Sequence, residues 1–495
     1  MEKKTGLQVQ IETETGLNVV KVTTKEQLDT LLDAGLATLY QDVFADPPYN
    51  EKFELEEVKE IFRDFQAKKG IVFVALDANG KPVAFVVSVP LRMEFELAKI
   101  AKNYDVDPEQ AAYFAEDGVA ENYRRNGLSG KMKKLLIETN SLAGLKKILL
   151  RTTQYNYKQI SAVNKAGGSI ISGLFNDVAS KRGDGSMTTD RRVFYTFDTG
   201  TYARDATKTD VLERVVIVRP GGNDTAIVFD PIPREKQGEL SLRIQKTYPG
   251  IEQVMFVEKG VTENIRGQMA GGEFCGNATR SLGFVIRKGQ DGLQTLEVSG
   301  ADQPVSVLVS GKNAKTSVPL KPEFKAIQKN PETGEYTVDM GGISFLVTTP
   351  DQVTGKQVLA LSSEEERKSL VQKILEETGL ANQPASGLLI AQKTGENSYR
   401  LDPFVFVRDT KTLYYESGCG SGSTAIGAIL ALESGKSVKE LKVMQPSGMS
   451  LSVTIERDGQ KFSNAYVDGP IEILFDGRMY ISNAPKQSPL VKTAP

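Results

Sequence analysis

The chain contains two cysteines, Cys275 and Cys419, and they stand in matching surroundings. Phe274-Cys275-Gly276-Asn277-Ala278-Thr279 is echoed by Gly418-Cys419-Gly420-Ser421-Gly422-Ser423, and glycine recurs eight residues after each cysteine, at Gly283 and Gly427. The copies lie 144 residues apart, from 275 to 419, which suits two related lobes rather than a short-unit solenoid. Asn277, Thr279, Ser421 and Ser423 favour helix starts and the glycines allow a tight approach, so each copy predicts a turn feeding a helix. A thiol at such a start sits in the positive end of the helix field, which should lower its pKa. The N–H groups of the same turn can bind a carboxylate. Two such turns facing each other predict a site that inverts the α-carbon of an amino acid. One thiolate takes the α-proton, the opposing thiol protonates the other face, and the carboxylate at the helix starts takes up the developing charge. That scheme needs no pyridoxal phosphate and no metal. Free cysteine is most often a small buried hydrophobe; equivalent placement of both thiols weighs against that reading.

The elements that must carry these turns follow from pattern. From Val211 onward, Val215–Val218, Thr225–Phe229 and Val254–Val257 read as strands. Apolar spacing predicts a helix over Glu364–Glu377, with Ser363 and Glu366 as its capping box. Before that region, Ile71–Leu76 and Val83–Val89 read as paired strands around the turn Asp77–Lys81, and Lys131–Leu142 has helical spacing. Composition shifts suggest a first domain over 1–198, a polar linker over 199–210, lobes over 211–330 and 331–483, and a loose tail over 484–495.

What is missing narrows the chemistry. With no histidine among 495 residues, Ser-His-Asp and Cys-His nucleophiles and histidine-based zinc sites are excluded. Two cysteines are too few for a disulfide framework or a four-cysteine zinc site. A net charge of −2 gives no footprint for nucleic acid or an anionic membrane. No apolar run reaches the ~18 residues of a membrane span, and no signal peptide is visible, so the expected location is the cytoplasm.

With these motifs in view, residues 212 to about 483 resemble the diaminopimelate epimerase superfamily. The segments Gly272–Thr279 and Glu416–Gly422 look closest to the histidine racemases of staphylopine-type metallophore biosynthesis. The resemblance implies an α/β (α+β) fold of two lobes, each a mixed sheet wrapped on a central helix, with the site between lobes. It implies that Cys275 and Cys419 are the acid–base pair, and that Gly276, Asn277, Gly420 and Ser421 hold the α-carboxylate. Asn223 and Glu252 match substrate-contacting positions, and Glu416 matches a receiver of the α-amino group. An ordinary turn asparagine and surface or hinge charges are the competing readings of those three. Diaminopimelate epimerases carry a Glu-Arg-Gly stretch before the second cysteine and a Gly-Asn-Pro-His segment. Here those regions read Arg408–Glu416 and Gly341-Gly342-Ile343-Ser344, which argues against diaminopimelate as substrate. Arg408 reads as a solvated strand-end arginine.

In the first 198 residues, Glu116–Lys131 resembles the acyl-CoA loop of GNAT-type N-acetyltransferases, entering a helix whose free amides cradle a pyrophosphate. Asn156–Gly168 is similar to that family's closing segment, with Gly168 in place of an aromatic residue. The resemblance implies a GNAT-like mixed sheet with helices and binding of acetyl-CoA through Arg124, Arg125, Asn126, Gly127, Ser129 and Gly130. Glu116, Asp117 and Tyr157 are candidates for acid–base work, and an inactive binding or dimerisation module is the alternative. The expected partners are a small amino-acid substrate and a second copy in a homodimer, with no cofactor for racemisation. A CoA-dependent N-acetyltransferase with a small-molecule-binding C-terminal half is the competing function.

Overall fold

The computed structural model describes residues 17–124, 126–200 and 209–482. The chain divides into two compact units, the second being Val211–Met479. Among the described residues no helix is long and apolar enough to cross a membrane.

The first unit is a mixed sheet in the order Asn18–Val22, Ile71–Leu76, Pro82–Pro90, Ala111–Val119, Lys147–Thr153, Met187–Asp198, Ser169–Lys181. The Ile71–Leu76 and Pro82–Pro90 strands pair antiparallel, as expected of two apolar runs joined by a turn. Asp77 closes their turn, its Oδ1 accepting from the N–H groups of Asn79 and Lys81 at 2.9 Å each. The helix expected over Lys131–Leu142 runs Leu128–Leu142, beginning before the apolar spacing does, because Gly127 adopts a φ of +73° and turns the chain into it.

In the second unit the strand forecasts fall in Thr209–Pro220, Thr225–Val228 and Gln253–Lys259. The Glu364–Glu377 helix has the predicted reciprocal cap: Glu366 N–H donates to Ser363 Oγ at 3.2 Å and Ser363 N–H donates to Glu366 at 3.1 Å. Thr209 and Asp210, read as linker from composition, begin a strand instead. Linker positions 201–208 and the tail from 484 lie outside the described residues.

Two helices are enclosed on every side. Residues Gly276–Val285 of the Gly276–Ile286 helix are buried without interruption, as are Gly420–Ile429 of the Gly420–Ser434 helix. Such helices have no polar face to turn to water and need a full wrapping. The sheet supplies it through Lys461–Ser482, which lies between Thr209–Pro220 and Ser450–Asp458 and also pairs with Asn313–Ser317. The strands from Thr209–Pro220 to Asn313–Ser317 thus close on themselves around the Gly276–Ile286 helix, removing the sheet edge there. On the other side the path ends at Ile327–Lys329, and Glu323 forms a bridge to Lys461 that nearly closes the second wrap.

The glycine repeated eight residues after each cysteine has a packing cause. A Cβ at Gly283 would lie 2.6 Å from Val307, and one at Gly427 would lie 2.8 Å from Val453, each valine on a wrapping strand. Helix propensity alone would make alanine better by ~0.8–1 kcal/mol. Overpacking should reverse that sign, so Gly283→Ala and Gly427→Ala should each lose about 1–3 kcal/mol. Urea midpoints falling at unchanged m-value would bear this out; wild-type or raised midpoints would refute it.

Candidate active site

Each cysteine is itself the N-cap of its helix, a role the sequence suggested for the residues that follow. Both have extended backbones, with φ/ψ of −127°/109° at Cys275 and −126°/104° at Cys419. Each sulfur accepts from the N–H three residues on, Ala278 at 3.4 Å and Gly422 at 3.3 Å. Thr279 and Ser423 return their hydroxyls to the cysteine carbonyls at 2.8 and 2.7 Å. These two hydroxyls therefore brace the first helical turn, with the sulfurs as the caps.

The two helix starts touch. Asn277 Nδ2 donates to Gly418 O at 2.9 Å, across the gap between the lobes, and Arg280 Nη2 donates to Asn277 Oδ1 at 3.0 Å. Arg280 is wholly buried and also donates to Ala314 O and Gly469 O, at 3.2 and 2.9 Å. Burial lowers its pKa to about 10, which leaves it charged at neutral pH. Val467, on the shared last strand, lies under both starts: a Cβ at Gly276 would meet it at 3.3 Å and one at Gly420 at 3.7 Å.

One cavity is lined by Cys275, Cys419, Gly276, Asn277, Gly420 and Ser421, together with Glu252 and Glu416. Eight of the nine racemase-site residues read from the sequence are thus brought together. The ninth, Asn223, is fully buried behind them, and its Nδ2 donates to Glu252 Oε2 at 2.9 Å. It holds Glu252 and does not line the cavity, because its amide is already engaged. Ser417 N–H donates to the same oxygen at 2.9 Å.

Two cavity residues, Gln253 and Glu273, and one residue bonded to Cys419, Gln445, were given no role in the sequence reading. Gln253 Oε1 accepts from the Cys275 thiol at 3.1 Å while its Nε2 donates to Glu416 Oε1 at 3.0 Å. Glu416 in turn accepts from the Cys419 thiol, so one hydrogen-bonded chain joins both sulfurs. Gln445 fixes the Cys419 turn by accepting from Cys419 N–H at 2.8 Å. Glu273 lines the cavity with Oε2 buried and without a hydrogen-bond partner. Gln253 and Glu273 sit one and two residues from positions already singled out, and Glu273 lies within the Gly272–Thr279 segment that carries the resemblance.

The expected lowering of the thiol pKa values is overturned. Burial pushes Cys275 up to about 12, opposed by the Ala278 N–H and assisted by the charges of Glu416 and Glu273. Burial also raises Cys419 well above the usual thiol range, reinforced by the neighbouring Glu416 carboxylate. The helix field is present, but desolvation and nearby carboxylates outweigh it. Burial likewise raises Glu416 to about 7 and Glu252 to about 8.

In the first unit, Arg124, Gly127, Ser129 and Gly130 line one cavity, Asn126 is exposed and does not, and Arg125 lies outside the described residues. Arg124 is engaged structurally, donating to Asp46 at 2.8 Å and to Val119 O at 3.0 Å. Asp117 pairs with Lys133 at 3.0 Å and Tyr157 is buried, which leaves Glu116 as the acid–base candidate facing open space. Arg408 is exposed beside Asp409, as expected of a strand-end arginine.

Residues 214–480 match the family described as the histidine racemase CntK N-terminal domain. A histidine racemase of Fusobacterium nucleatum is 31% identical over 288 residues, covering 55% of this chain and 99% of that protein. One from Staphylococcus aureus is 24% identical, covering 53% and 95%. Among solved structures, a hydroxyproline epimerase from Agrobacterium vitis aligns with 55% of this chain and 93% of its own at 12% identity and a TM-score of 0.39. An N-acetyltransferase from Staphylococcus aureus aligns with 37% and 99%, at 16% identity and a TM-score of 0.28. The protein is an amino-acid racemase, an isomerase. It belongs to the histidine racemase CntK family.

The Glu416 charge contributes to holding Cys419 neutral. Glu416→Gln should therefore shift the pH of half-maximal Cys419 alkylation by iodoacetamide downward, read by mass spectrometry. An unchanged or raised midpoint would refute the coupling.

Proposed function

We propose that the protein interconverts L- and D-histidine without a cofactor, Cys275 and Cys419 acting as the acid–base pair. The observation that carries this is the opening of both cysteine-capped helix starts on one cavity. The first four N–H groups of a helix have no intrahelical partner. Here those of Ala278 and Gly422 go to the sulfurs, while the regular helix ladder begins with Thr279 and Ser423 donating to the cysteine carbonyls at 2.9 and 3.0 Å. The amides of Gly276, Asn277, Gly420 and Ser421 remain at the cavity wall for the α-carboxylate. The substrate ammonium meets Glu416, cancelling the charge that keeps Cys419 protonated. The helix fields then favour a thiolate. That thiolate removes the α-proton from one face and the opposing thiol returns a proton to the other. The carboxylate, held by both helix starts, takes up the charge in between. Two relatives that match along nearly their whole length are histidine racemases. The unpartnered Glu273 oxygen supports the same substrate, since an imidazole N–H is a donor it lacks.

The first unit we read as acyl-CoA-binding, supported by the cavity that runs along Gly127, Leu128, Ser129 and Gly130 at a helix start.

In D2O, the wild type should lose the α-proton signal of L-histidine while D-histidine accumulates, and Cys275→Ser and Cys419→Ser should each abolish both. Exchange surviving in both variants sinks the two-thiol mechanism; exchange with other amino acids only sinks histidine as substrate. Because Glu416 must be ionised to hold an ammonium, kcat/KM should fall as pH drops through about 7. A flat profile between pH 6 and 8 would contradict that role.

A further inference from the structure

The racemisation chemistry leaves a second cavity system unused. Strands Ala111–Val119 and Lys147–Thr153 run parallel and pair from Ala111 opposite Lys147 to Phe114 opposite Leu150. Beyond that pair they part. Glu116–Val119 stays paired with Ala84–Val87 on one side, and Arg151–Thr153 with Arg192–Phe194 on the other. A slot opens in the sheet with Glu116 on one lip and Arg151 on the other. Cavities of about 660 and 730 Å³ are both lined by Phe44, Tyr49, Ala115, Glu116 and Arg151, so they meet at this slot.

Some of the charges around the second cavity are matched. Arg192 pairs with Glu51 at 2.7 Å, and Lys68 pairs with Asp64 at 2.7 Å and Glu94 at 2.9 Å. Glu116 and Arg151 are not: among the described residues neither has an opposite charge within 4.0 Å. The Arg151 guanidinium lies 5.8 Å from the Tyr113 ring centroid. Burial raises Glu116 to about 8. A carboxylate and a guanidinium that share a cavity without reaching each other present the two complementary ends of a zwitterion's binding site.

We infer that the first unit is an N-acyltransferase whose acceptor is a free α-amino acid, its carboxylate held by Arg151 and its amino group by Glu116. This rests on the acyl-CoA reading of the neighbouring cavity. Glu116 takes a proton from the ammonium and passes it to water. The amine nitrogen attacks the thioester carbonyl, the C–N bond forms and the C–S bond breaks. The second nitrogen proton leaves with the sulfur as CoA thiol. The fused racemase supplies amino acids of both hands, so N-acylation of one enantiomer is the class of reaction that would consume its product.

The test uses the full chain with acetyl-CoA, chromatographic detection of CoA, and glycine with the chiral standard amino acids in both configurations, with histamine as the carboxylate-free control. Calorimetry measures acetyl-CoA binding separately. Amino acids should be acetylated and histamine should not. Arg151→Gln should raise the amino-acid KM about tenfold or more with the acetyl-CoA Kd unchanged. Glu116→Gln should lower kcat by about 10²-fold or more, again with donor binding intact. Acetyl-CoA binding with no amino acid acetylated, or histamine acetylated as well as histidine, overturns the acceptor inference alone. No acetyl-CoA binding overturns the donor reading and the inference with it.

Discussion

Two helix starts of the same electrostatic sign are held against one cavity, and the rest of the second unit can be understood as what keeps them there. Each start carries about half a positive charge, so their convergence is unfavourable until an anion lies between them. The Asn277 amide bonded to Gly418 O ties them directly. Arg280 locks that amide from behind and joins the first helix to two strands. Leaving a buried polar group of this network without its partner costs about 1–3 kcal/mol, more than the ~0.3–1 kcal/mol of a helix-end interaction. The packing can therefore impose a geometry that the dipoles resist, and an anionic substrate relieves that resistance on binding.

The same enclosure sets the resting state of the thiols. A thiol capping an exposed helix would ionise easily, but here the two cysteines are 9% and 5% exposed and share their surroundings with Glu416 and Glu273. Both thiols are thereby held above their usual pKa range. Gln253 and Glu416 connect the sulfurs by hydrogen bonds, so a substrate cation at Glu416 acts on one thiol directly and on the other through Gln253.

How far the sequence could be read depended on how local each cause was. The reciprocal cap at Ser363 and Glu366 and the Asp77 turn involve groups four residues apart or fewer, and pattern alone located them. The glycines at 283 and 427 were visible as a repeat, but their reason lies in Val307 and Val453 on other strands. Asn223 was read as a substrate contact, whereas the fold turns its amide to Glu252, 29 residues on. Gln253 and Gln445 do their work through partners 163 and 26 residues away, and glutamine carries no distinguishing signal of its own. In the first unit the loop at Gly127–Gly130 was legible, while the slot between Glu116 and Arg151 appears only when two strands part.

The amino-acid sequence by itself determined the two thiols, their equivalent helix starts and the exclusion of histidine chemistry, because each is a matter of residue type and short-range spacing. Tertiary structure alone decided that the last strand serves both lobes, that the helix starts meet, and that the sulfurs are neutral at rest. Those outcomes depend on burial and on contacts between distant segments. The balance between a helix field and desolvation has no value until the surrounding atoms are in position.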